Sequence, residues 1–127
     1  MTAQDIIAAA LRAGRKSLDE AAGKRLLGEF GIPVPNGVVV KDALEVEAAI
    51  ADLTPPFAVK VMSPDILHKS DVGGVRLDLE DAASVQAAIE EMASRMPANI
   101  QGYLVEEMAP AGREVVIGAV RDPRFGW

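Results

Sequence analysis

Apolar residues recur along this chain with two alternating periods, one helical and one of two residues. From Ala3 to Ala13, Ile6, Ile7, Ala10 and Leu11 form one stripe of an amphipathic helix, which Gly14 ends. A second helix is predicted from Ser17-Leu18-Asp19-Glu20, with Ser17 as cap and Glu20 completing a capping box. Its expected buried face is Ala21, Ala22, Leu26, Leu27 and Phe30, and Gly31 stops it. After the turn-rich Ile32 to Gly37, Val38-Val39-Val40 reads as a short buried strand. Lys41-Asp42 then opens a third helix carrying Leu44, Val46, Ala48, Ala49 and Ile50, ended by Thr54-Pro55-Pro56.

The central stretch departs from this regularity. Phe57, Ala58, Val59, Val61 and Met62 form an apolar β-like run interrupted by Lys60, whose ammonium must reach a solvent edge or a cleft that holds an anion. Ser63-Pro64-Asp65 breaks the strand, and a polar loop with His68, Lys69, Ser70 and Asp71 leads through Gly73-Gly74 into an alternating strand, Val75 to Leu79. Asp81 caps a helix with Ala82, Val85, Ala88, Ile89 and Met92 on one face and Pro97 at its end. Tyr103-Leu104-Val105 resumes the sheet and leads into Glu106-Glu107-Met108-Ala109-Pro110; Glu114 to Val120 is expected to be a last apolar strand. The order predicts an α/β (α+β) domain, a mixed β-sheet covered by helices, with residues 1–127 as one domain and 1–16 as an N-terminal extension helix.

Composition narrows the function classes. A net charge of -6 with no basic stripe argues against nucleic-acid binding, so a polyanionic ligand must be met by local charge. The absence of cysteine excludes disulfides and thiolate chemistry. No apolar run is long enough to span a membrane and the start lacks the order of a signal peptide, so a cytoplasmic protein without a membrane partner is expected. Taken alone, His68 is an ordinary solvated loop histidine and Lys60 an edge lysine; no metal site is legible in these residues.

VKVMSPDILHKSDVGGVRL (Val59 to Leu77), VEEMAPAGREVVIGAVRDPRFG (Val105 to Gly126) and SLDEAAGKRLLGEFGIPVP (Ser17 to Pro35) change that balance. Together they resemble the first lobe of the ATP-grasp domain of ADP-forming acyl-CoA (acetate-CoA) synthetases, and the chain is similar to the nucleotide-binding subunit of succinyl-CoA synthetase. The resemblance implies an acid-thiol ligase, interconverting ATP, a carboxylate and coenzyme A with ADP, phosphate and acyl-CoA through a phosphohistidine. It implies that Lys60 reaches nucleotide phosphates, that Lys69 and Ser70 hold terminal phosphates, and that His68 carries the phosphoryl group. It further implies that Glu106, Glu107, Met108 and Ala109 form the hinge at the adenine edge and that Glu114 accepts bonds from the ribose hydroxyls. A flexible ammonium suits phosphate, and a neutral imidazole is nucleophilic near its reference pKa of ~6.5. The family continues beyond RDPRFG into a lobe that binds magnesium, so Mg2+ ligands are expected outside this chain, as is a partner domain or subunit that binds coenzyme A. The alternative is a nucleotide-binding regulatory module, including that of a protein acetyltransferase fusion, or a non-catalytic assembly domain.

Overall fold

The computed structural model describes residues 1–66, 69, 72–96 and 99–127. The expected roles of His68 and Ser70, and of Pro97 as a helix stop, lie outside the described residues. Helices α1 (Ala3–Arg12) and α2 (Glu20–Glu29) precede strand β1 (Gly37–Val40). A 3-10 turn (Ala43–Glu45) runs into the single-turn helix α3 (Val46–Ala49), followed by β2 (Phe57–Met62), β3 (Val75–Leu79), α4 (Ala82–Arg95) and β4 (Gly102–Glu107). The four strands form one sheet in the order β1-β4-β2-β3. Every pairing among them is antiparallel, which corrects the expected mixed sheet. Antiparallel neighbours need no helical crossover between them, so the helices are free to collect on the sheet faces.

The core lies between the sheet and α3/α4. Phe57, Val59 and Val61 of β2 alternate onto the same face as Tyr103 and Val105 of β4, and meet Val85, Ile89 and Met92. Val59, Val61, Val85 and Val105 are fully buried, each contributing roughly 1.5–3 kcal/mol of burial energy. The face of α4 follows the expected spacing, and the Asp81 carboxylate accepts from the Ser84 amide at 2.8 Å.

Four local expectations fail. Helix α2 is capped by Asp19, not Ser17: the Asp19 carboxylate accepts from the Ala22 amide at 2.8 Å while Arg15 clamps its other oxygen at 2.6 Å. An acid pinned by a guanidinium is at least as good a cap as a serine. Leu27 and Phe30 of the expected apolar face of α2 are exposed, and no residue of the helix is fully buried, Ala21, Ala22 and Leu26 being half-buried. The third helix shrinks to a 3-10 turn plus one α turn, with Glu45 folded back to accept from the Lys41 amide at 2.8 Å. Glu114 to Val120 forms no strand: Val115, Val116, Ile117 and Val120 are exposed, since apolar residues extend into a strand only where a neighbouring strand pairs with them.

Among the described residues, no helix is long and apolar enough to cross a membrane.

Candidate functional site

Strand alternation separates structure from chemistry. With Val59 and Val61 turned to the core, Lys60 points to the opposite face of β2. On the neighbouring strand Ala58 pairs with Glu106 and Lys60 with Leu104, so Lys60 and Glu106 are diagonal neighbours on one face. Gly37 of β1 lies against this place: a Cβ there would come within 2.9 Å of the Glu106 Cβ, so glycine makes room for the root of the Glu106 side chain. Helix α2 supplies the rest of the constellation through Glu20 and Lys24, one turn apart.

These four side chains close on each other. The Lys60 ammonium lies 2.6 Å from Glu106 Oε1 and 2.9 Å from Glu20 Oε2. The Lys24 ammonium binds the second oxygen of Glu106 and also meets Glu20 Oε2 at 3.3 Å. The Glu106 side chain is only 5% exposed, against 30% for Glu20. Burial disfavours the charged form of Lys60, but hydrogen bonds to Glu106 and Glu20 and their negative charges outweigh it, raising its pKa above the usual lysine value. Burial likewise opposes ionisation of Glu20, yet Lys60 and Lys24 hold its pKa below the ordinary carboxylate value. The result is a neutral, charge-alternating ring in which Glu106 is the buried member.

A cleft of about 760 Å3 adjoins the ring. The segment from Ala13 to Glu20 forms one wall, and Met62, Ser63, Pro64, Ile66, Lys69 and Gln101 form the other. Arg15 spans it, donating to Asp19 and, at 2.8 Å, to the Gln101 side chain. Lys69 is held through its backbone: its carbonyl accepts from the Gly74 amide at 2.6 Å, and the Gly74 carbonyl accepts from Val61 at 2.8 Å. A Cβ on Gly74 would lie 2.6 Å from Val61 Cγ1 and 3.0 Å from that same Lys69 carbonyl oxygen, so the return of the loop onto β2 requires glycine.

The remaining candidates are distributed. Glu107 accepts from the Thr54 amide at 3.0 Å and from the Asn36 side chain at 3.3 Å. The Glu107 amide donates to the Asn36 carbonyl and the Met108 amide to that of Pro56, which fixes the end of β4. Met108 also accepts at its sulfur from the Asp78 amide at 3.1 Å, and Ala109 is exposed. Glu114 is exposed and lies outside any helix or strand. The sequence reading brought Lys60 and Glu106 forward separately; the structure joins them. It missed Glu20 and Lys24, whose signal was an acid and a base one helical turn apart.

The ATP-grasp domain family matches residues 9–127, and the chain belongs to that family. It is 33% identical over 129 residues to the beta subunit of acetate–CoA ligase [ADP-forming] I of Pyrococcus furiosus, covering 98% of this chain and 55% of that one. The structure of Ca. Korarchaeum cryptofilum acetyl-coenzyme A synthetase 1 in complex with coenzyme A and Ca-AMPCP matches at a TM-score of 0.89 and 39% identity, over 98% of this chain and 57% of that one. In another structure of that synthetase, with coenzyme A and Mg-AMPPCP, its phosphohistidine segment points towards the nucleotide-binding site. That structure matches at a TM-score of 0.82 and 36% identity, over 98% of this chain and 54% of that one. The chain thus spans about half the length of these relatives.

Proposed function

We propose that this chain is the first lobe of the ATP-grasp module of an ADP-forming acyl-CoA synthetase, and that it binds ATP or ADP. The observation that carries this reading is the convergence of Lys60, from the middle of a rigid strand, with the Glu106 to Ala109 segment that ends the adjacent strand. A lysine placed this way offers a mobile ammonium to phosphate oxygens from a fixed base. Of the ring only Glu20 lines the adjoining cleft, and Lys69 lines it too, so a polyphosphate entering there meets a cation beside the ring. The relatives support the ligase class, and their names favour it over a regulatory or assembly role.

In this reading, adenine meets the hinge at Ala109 and at backbone carbonyls, because the amides of Glu107 and Met108 are already donating within the chain. Glu114 would accept from the ribose hydroxyls once its segment closes over the nucleotide, and Ser70 would assist Lys69 at the terminal phosphates. His68 would receive the phosphoryl group and carry it to the acyl site. Magnesium does not fit the ring, since Glu20 and Glu106 are each bound by lysine ammonium groups; its ligands, like the coenzyme A site, belong to the rest of the enzyme. A cytoplasmic setting accords with these nucleotide and coenzyme A substrates.

The test uses the complete synthetase and separates binding from transfer. Lys60→Ala should weaken ATP affinity by roughly 10- to 100-fold, the loss of about 1.5–3 kcal/mol expected for a charged hydrogen bond. His68→Ala should leave affinity nearly unchanged while abolishing the acid-labile phosphohistidine and acyl-CoA formation. Unaltered affinity in Lys60→Ala would remove the phosphate assignment, and a persistent phosphohistidine in His68→Ala would remove the relay.

A further inference from the structure

We propose that Lys24 is a positioning residue that acts as the replacement counter-ion for Glu106, leaving Lys60 free to move from carboxylate to an incoming polyphosphate. The inference rests on the phosphate-binding reading of Lys60. It begins from the unequal surroundings of the two acids that hold Lys60. Glu20 is 30% exposed in its side chain, so water can take the place of a departing ammonium. Glu106 is 5% exposed and cannot be resolvated in the same way; a buried carboxylate left without a cation is strongly disfavoured.

Lys24 resolves the conflict. It already binds the second oxygen of Glu106, so when Lys60 leaves, the buried acid keeps a cation. It also lies 3.3 Å from Glu20 Oε2, the other oxygen that Lys60 gives up. With Lys24 present, moving Lys60 leaves each acid a cation within reach. Without it, Lys60 becomes the only described counter-ion of Glu106 and is held in place. The helix that carries Lys24 thereby influences a ligand that the Lys24 side chain does not touch.

This hand-over is tested by how readily Lys60 is modified. A lysine reacts with acetic anhydride only as the free amine, so a tighter hold by Glu106 slows acetylation, which peptide mass spectrometry measures at Lys60. Lys24→Met should slow Lys60 acetylation by roughly three- to tenfold, the change that half to one pKa unit of altered charge coupling produces. Lys24→Arg should restore the rate, and Glu20→Gln should accelerate it. A role confined to packing gives the opposite sign, because loosening α2 exposes Lys60 and speeds the reaction; an unchanged or faster rate in Lys24→Met overturns the proposal. If that variant does not fold, Lys24→Gln keeps a polar side chain of similar length without the charge and carries the same test. Added ATP distinguishes the underlying reading: protection of Lys60 with no Lys24 effect overturns the hand-over alone. A Lys24 effect without protection overturns the phosphate reading, and with it the ligand to which Lys60 is handed.

Discussion

At the scale of the residue, the ring makes stability depend on pH from both sides. Glu20 has a folded pKa below its ordinary 4.5, so its contribution is complete above that value and is lost as pH falls through the depressed one. Lys60 has a folded pKa above its ordinary 10.5; its contribution is complete below that value and is lost as pH rises through the elevated one. Thermal melting followed across acid and alkaline pH should therefore show loss on both limbs. Replacing Lys60 by methionine should flatten the alkaline limb, and an alkaline limb identical to that of the wild type would show that this lysine is not the group responsible. Lys60 was legible in the sequence because a charge inside an apolar strand needs an explanation. Its true partners were not, since Glu20 lies on α2 and Glu106 on β4, and local spacing carries no information about which strand a helix faces.

At the scale of the element, the return of the loop onto β2 depends on Gly74. Gly74→Ala should destabilise the fold by about 1–3 kcal/mol, because the added methyl meets both the Val61 side chain and the Lys69 carbonyl oxygen. Urea unfolding should show a lower midpoint with an unchanged slope; an unchanged midpoint would mean that the loop moves aside at no cost. Elements with a complete local signal were readable in advance. In α4 the cap at Asp81 and the buried run Val85, Ala88, Ile89, Met92 agree, and β2 declares itself as an apolar run buried at every position but Lys60. Where two good signals compete, sequence alone does not decide, as with Ser17 and Asp19 at the start of α2. The apolar Glu114 to Val120 segment shows the other limit: composition gives the capacity to form a strand, but only a neighbour makes it one.

At the scale of the whole molecule, the proposed function leaves the described residues with only one side of a nucleotide site. Calorimetry on the 127-residue chain with ATP should show weak binding and little heat, because ligand pockets of useful affinity enclose most of their ligand's surface. Submicromolar affinity would contradict this half-enclosed picture. The strand order β1-β4-β2-β3 also has a consequence for how the molecule is made. Strand β4 is the last of these four strands in the chain, yet it is flanked on both sides, by β1 and β2, and it carries Glu106. Until residues 102–107 have emerged, β1 has no partner in the sheet and the hydrophobic face of α4 has only part of its bed. Folding that awaits a distant segment is slow to begin and then cooperative. Nascent chains stalled at successive lengths should accordingly remain open to protease until β4 clears the exit tunnel and then become resistant in one step, whereas a gradual gain of resistance from β2 onward would show that the earlier strands hold together without it.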